Sequence, residues 1–376
     1  MPRPSILQSM VILGMLVSTV AGQNQDKPKL DTLRKGAFTG RDREATRAWL
    51  EQEINNLFNA PDAGTTIRSG SLLYFSADGL VTHYQASDAT RTFQQGLAEL
   101  VATAFKTAFQ AAPSDPNARN YLAATLTLAA LKAFNEPRAS LDCFTIALSD
   151  PSPGVRLAAL DGIIAIWEPL TATQKQAIVG QLQTLATKET DGTTLSRMYA
   201  ILLLQDQARI KQTAETILRI LDTRLAGYET IGLGPLLADT EAMGWLSSNI
   251  GALSADPLHK TIVVTAARLL ADATESYINE VHSPQREQEL EIVIHQADED
   301  LKRIVAAAEN APRGTPDIAR TITRTPTDDR KNKVRDELAG WIGNASRKGY
   351  LNMAPFNLSP GLEQERVARA TTDTGG

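Results

Sequence analysis

The chain has one cysteine, four histidines, only 5% aromatic residues and no long apolar run. A single cysteine, Cys143, cannot close an internal disulfide, so stability must come from packing. Flanked by Asp142 and Phe144 in an apolar-periodic stretch, with no histidine near in sequence, it reads as a buried structural thiol. His83, His259, His282 and His295 stand far apart and form no His-Glu-x-x-His spacing, which argues against a histidine-built metal site, and no cofactor is expected. A basic surplus is also missing. Lys and Arg total 38 against 43 Asp and Glu, a net charge of −5, which speaks against a nucleic-acid partner. Neither a Gly-x-Ser-x-Gly elbow, nor Ser-x-x-Lys, nor a phosphate-cradling glycine loop occurs, and Gly64 to Gly70 lacks the lysine of a P-loop.

With aromatics scarce and 43% of residues hydrophobic, small aliphatic side chains must carry the core. The N-terminus has the layout of an export signal: Arg3, an apolar stretch from Met10 to Val17, then Ser18, Thr19, Ala21 and Gly22, with a cut ahead of Gln23. The apolar stretch is shorter than the roughly 20 residues that span a bilayer. A secreted or periplasmic chain without stable membrane insertion after cleavage is therefore expected. No cysteine near the cut offers a lipid acceptor.

Beyond a polar linker at 23–41, the spacing predicts a helix over Asp42 to Asn59, with Leu50, Ile54, Leu57 and Phe58 on one face. SLLYFSADGLVTHY, two runs of strand formers around Ala77-Asp78-Gly79, predicts a small β-hairpin. A helix capped by Ser87 or Asp88 completes an N-terminal unit at 42–112. From 113 to 310 helix follows helix, with prolines at the joints rather than inside the elements. Residues 311–376, rich in Pro, Thr and Arg, read as a mostly disordered tail. Within it, Thr327 to Gly343 has a helical face of Val334, Leu338, Trp341 and Ile342. That face either folds back on the acidic body or docks on a partner through Trp341.

The joints of the helical region resemble one another. Asp115-Pro116 leads to Arg119, Asp150-Pro151 to Val155-Arg156, Asp191-Gly192 to Arg197, and Asp256-Pro257 to Lys260, each followed by an Ala- or Leu-rich helix. Aspartate caps the incoming helix and proline fixes its first turn. Repeats of 30–50 residues holding two helices each mark an α-solenoid. The stretch Asp150 to Ile166, with Asp150, Pro151, Val155, Arg156, Ala158, Ala159 and Leu160 in place, resembles the first helix of a HEAT repeat. The other joints match it only in outline, and a tetratricopeptide-like array is the competing resemblance. The expected fold is mainly α, a solenoid of HEAT-like helical hairpins with the small N-terminal β-hairpin. The resemblance implies structural roles for Asp115, Arg119, Asp150, Arg156, Arg197 and Asp256, with the Arg156-type residue pairing to an aspartate of a neighbouring repeat.

For chemistry, Ser76, Asp78 and His83 have the residue types of a nucleophilic triad, clustered on the expected hairpin. Glu291, His295 and Glu299 share one helix face but sit among other acids, the pattern of a solvated surface. Asn344-Ala345-Ser346 and Asn357-Leu358-Ser359 fit the glycosylation sequon. On the second helices of the expected repeats, Lys175, Gln181, Lys188, Lys211, Glu215 and Arg219 form polar stripes. In HEAT-like arrays such residues line the concave face, so a protein partner is expected there. The leading expectation is an exported, noncatalytic interaction scaffold. The alternative is an exported hydrolase with its site near the hairpin.

Overall fold

The computed structural model describes residues 27–113, 120–204, 209–227, 235–254, 257–279 and 281–365. The export signal lies outside them, as do the joint residues Asp115, Arg119 and Asp256. The described chain is mainly α-helical. A short α1 (Leu30–Leu33) precedes α2 (Gly40–Phe58) and α3 (Ala63–Gly70), which runs into a π-turn at Ser71–Phe75. Next come α4 (Leu80–Gln85), α5 (Arg91–Ala111), α6 (Tyr121–Phe134), α7 (Pro137–Ala147), α8 (Pro153–Ala165), α9 (Ala172–Ala186), α10 (Gly192–Leu203) and α11 (Ile210–Ala226). The last group is α12 (Leu236–Ser248), α13 (Ile250–Leu253), α14 (Leu258–Asn279), α15 (Pro284–Ala306), α16 (Ile318–Arg324) and α17 (Thr327–Ile342).

Side chains start many of these helices. Asp62, Thr90, Asn120, Thr171, Asp191, Ser283 and Asp317 each accept a hydrogen bond from a backbone N–H of the first turn, satisfying donors that the helix itself leaves unpaired. The expected cap of α5, Ser87 or Asp88, is instead Thr90, because Asp88 is drawn to Arg34, whose Nε lies 2.8 Å away. The joint at Asp150 also differs from the resemblance. Asp150 accepts from the Ser152 N–H at 2.8 Å and shapes the turn, while Ser152 holds the N-cap position and Pro153 the first helical one. Asp191 does cap its helix, its carboxylate 2.8 Å from the Thr194 N–H.

Beside adjacent pairs such as α14–α15 and α7–α8, packing joins helices two or three apart in sequence. α6 contacts α8, α8 contacts α10, α10 contacts α12 and α12 contacts α15. A second set runs from α5 to α7, from α9 to α11, from α11 to α14 and from α14 to α17. Their facing sides are small and aliphatic, and one approach is close enough to require glycine: a Cβ on Gly162 of α8 would lie 2.2 Å from the Phe144 ring of α7.

The β-hairpin does not form. Among the described residues there is no strand, only an isolated bridge between Asn344 and Arg347. SLLYF ends α3 as the π-turn, and LVTHYQ is α4. Tertiary packing overrides the strand propensity of Tyr, Val and Phe: Tyr74 is fully buried and bonds the Thr127 hydroxyl of α6 at 2.9 Å, while Leu80, Val81 and Tyr84 bury a helical face. Gly79 is still needed for the turn between them, since a Cβ there would stand 2.6 Å from the Tyr74 carbonyl oxygen.

Of the mostly disordered tail expected over 311–376, residues 366–376 lie outside the described residues, the helix expected from Thr327 to Gly343 is α17, and the rest of 311–365 is folded rather than disordered. Helices α16 and α17 dock on α15 and α14, burying Ile318, Ile322, Val334, Leu338, Trp341 and Ile342, and Tyr350, Leu351, Phe356 and Leu358 extend the same core. Few apolar residues are present, but nearly all point inward.

Candidate functional site

The stripes proposed for partner binding divide in the structure. Lys188, Lys211, Glu215 and Arg219 are exposed, as a contact surface requires. Lys175 is half-buried, its ammonium 5.4 Å from the centre of the Trp167 ring, and Gln181 donates to the Thr145 carbonyl of α7 at 3.1 Å. Both tie α9 to its neighbours. Trp341, expected as a docking residue, is fully buried, and its indole N–H donates to Asp298 at 2.8 Å. An internal acceptor holds it, so it is no partner contact.

Joint residues build a polar chain through the molecule. Arg156 donates to both carboxylate oxygens of Glu189 at 2.8 and 2.7 Å, and to the Asp150 and Pro151 carbonyls at 2.8 and 2.9 Å. The neighbouring carboxylate is thus Glu189 of the next joint rather than the aspartate implied by the resemblance, because the side chain of Asp191 is spent on its own helix. Arg197 reaches Asp161 at 3.0 Å. Deeper, the fully buried Arg224 grips Asp239 at 2.9 Å and donates to the Ala186 and Glu189 carbonyls, each at 2.8 Å, while the Tyr199 hydroxyl donates to Asp239 at 2.7 Å. Arg224 and Asp239 carried no motif that sequence reasoning would find. These groups position α8 to α12 and face one another rather than a cleft.

The three triad types do not assemble. His83 is buried on α4, with Nε2 2.8 Å from Asp78 and Nδ1 3.1 Å from the Arg34 guanidinium. A guanidinium only donates, so Nδ1 accepts and Nε2–H donates to Asp78; neither nitrogen is left for a substrate. The Ser76 hydroxyl bonds the Leu72 carbonyl at 2.8 Å instead of His83. Lys27 and His83 together hold the Asp78 carboxyl below the usual carboxylate range.

Asp298, Glu299 and Asp317 bring three carboxylates together, within the separation a metal ion needs. Lys302 occupies their centre, 2.8 Å from each. An ammonium already neutralises the cluster, and Asp298 further accepts from the Ala319 N–H at 3.1 Å and from Trp341. Burial pushes the Asp298 carboxyl up. The trio reads as the anchor of α16 and α17. Glu291, His295 and Glu299 do not converge: Glu291 takes the Tyr277 hydroxyl at 3.1 Å and Arg330 at 2.6 Å, Glu299 takes Lys302, and His295 is exposed.

A pocket of about 490 Å³ opens where the first turns of α10, α12 and α15 meet. Buried Leu236, Leu290 and Val293 line it together with the exposed Leu237 and Ile292, and Arg286, paired with Glu289 at 3.0 Å, stands at its edge. Its size suits a ligand or an inserted side chain. The signal in the sequence was slight: Leu237 and Ile292 are apolar residues out of phase with the buried faces of their helices. Compared with known protein families, curated proteins and solved structures, the chain matches none.

Proposed function

We propose that the chain is an exported, noncatalytic interaction scaffold, a HEAT-like α-solenoid that holds an extended protein partner. The series α6–α8–α10–α12, in which each helix packs on the one two further along, supports the solenoid reading, since stacked hairpins pack in this order. The observation that carries the binding role is the pocket between α10, α12 and α15, where exposed Leu237 and Ile292 flank buried apolar walls. An apolar partner side chain seated there would bury surface otherwise left in water, the usual core of an interaction hot spot. Lys188, Lys211, Glu215 and Arg219 are candidates for a polar rim elsewhere on the same partner. Export rests on the N-terminal pattern alone, and a mature N-terminus at Gln23 would bear it out.

The test places a photo-crosslinking residue at Leu237, at Ile292 and, as a control, at Glu51 in the full chain in its native host. The expected result is one and the same protein captured from the first two positions, and lost when Leu237→Asp is combined with the Ile292 probe. Absence of capture, or capture indifferent to the substitution, would overturn the reading.

A further inference from the structure

A second pocket, about 470 Å³, lies between the start of α14, the end of α15 and the loop at Pro355 to Leu358. Its chemistry differs from that of the first. Val263, Phe356 and Leu358 are buried and supply apolar walls, whereas His259, Lys260 and Glu309 bring three distinct polar functions to the same cavity. Nε2 of His259 lies 3.0 Å from the Ile304 carbonyl oxygen. A carbonyl only accepts, so Nε2 carries the proton and Nδ1 of the neutral ring is left as a hydrogen-bond acceptor, a tautomer fixed by the end of α15. Neither Lys260 nor Glu309 has an ion-pair partner among the described residues.

Ionised groups buried in this molecule are paired at Arg156–Glu189, Arg224–Asp239 and Asp298–Lys302, whereas Lys260 and Glu309 are exposed and keep their charges on the open side of the cavity. Here a cation, an anion and a fixed neutral acceptor share one cavity without pairing. A simple anion would meet Glu309, and a simple cation would meet Lys260. A compact ligand carrying both charges satisfies all three groups.

We propose that this pocket binds a free apolar α-amino acid as its zwitterion. The carboxylate is held by Lys260, the ammonium by Glu309 and Nδ1 of His259, and the side chain rests on Val263, Phe356 and Leu358. Volumes of this order take small ligands. The proposal does not depend on the scaffold reading, which concerns the other pocket.

Calorimetric titration of the full chain with L-leucine and with L-phenylalanine tests it. Saturable binding of at least one of them, with a dissociation constant below about 1 mM, is expected. Lys260→Met, a change at an exposed side chain that leaves the fold intact, is expected to weaken it about tenfold or more, and so is Glu309→Gln. The methyl ester, which lacks the carboxylate, and the N-acetyl derivative, which lacks the ammonium, should each lose a similar factor. No saturable signal up to about 10 mM from either amino acid, or binding equal for the ester, the N-acetyl derivative and both variants, would overturn the assignment.

Discussion

At the scale of single residues, much of the polar chemistry is structural. Arg156 and Glu189 meet through two hydrogen bonds with side chains only 14% and 3% exposed, so removing one partner strands a buried charge. Glu189→Gln and Arg156→Ala should each destabilise the chain by about 3 kcal/mol, measured by denaturant unfolding. Asp300 presents the opposite case. It is fully buried, hydrogen-bonded to Gln296 at 3.1 Å, and 3.9 Å from Arg303 at its other oxygen, and burial pushes its carboxyl up from 3.8. The folded chain therefore holds that proton more tightly than the unfolded chain. Its contribution to stability is complete below about pH 4 and is lost as pH rises through the raised value. Asp300→Asn should remove this slope and gain about 1 kcal/mol at pH 7, read by comparing unfolding at pH 4 and pH 7. Cys143, with its thiol pushed up to about 12 by burial, should resist iodoacetamide at pH 8 until the protein is unfolded.

Among the elements, those with long apolar periodicity were legible and those defined by packing were not. The first helix expected from Asp42 to Asn59 is α2, and of the prolines expected at the joints Pro137, Pro153 and Pro284 open α7, α8 and α15. Proline at the first helical position and a regular apolar face are local signals, readable without a partner. Tyr74 and Tyr84 lie in runs that favour strands, yet their helical course buries Leu80 and Val81 with them and sets their hydroxyls on Thr127 of α6 and Glu136 of the α6–α7 joint. After 311 the helix expected from Thr327 to Gly343 is α17, but the order of the residues around it was not legible, because their apolar side chains are few and widely spaced and their partners lie on α14 and α15. Of the candidate site, the exposed lysines and the joint residues could be found by position, but both pockets arise from elements far apart in sequence. Trp341 tests the docked segment. Trp341→Ala removes a fully buried ring and leaves Asp298 without its indole donor, at an expected cost of about 3–5 kcal/mol. Hydrogen exchange in α16 and α17 should rise accordingly.

For the whole molecule, the contacts of α14 to α17 run largely among themselves and to α11 and α12, away from α2, α5 and α6. The Trp341→Ala variant should accelerate exchange in α14 to α17 while α2, α5 and α6 keep their protection; uniform acceleration along the chain would show a single cooperative unit instead. One residue works against such independence. Glu189 receives Arg156 through its side chain and Arg224 through its backbone carbonyl, so the joint before α10 is shared by the arginines of α8 and α11. Under tension applied between the two termini, that joint would act as a mechanical clamp: force reaching it is divided between two arginines, one from α8 and one from α11, and the helices flanking it should yield after those at either end.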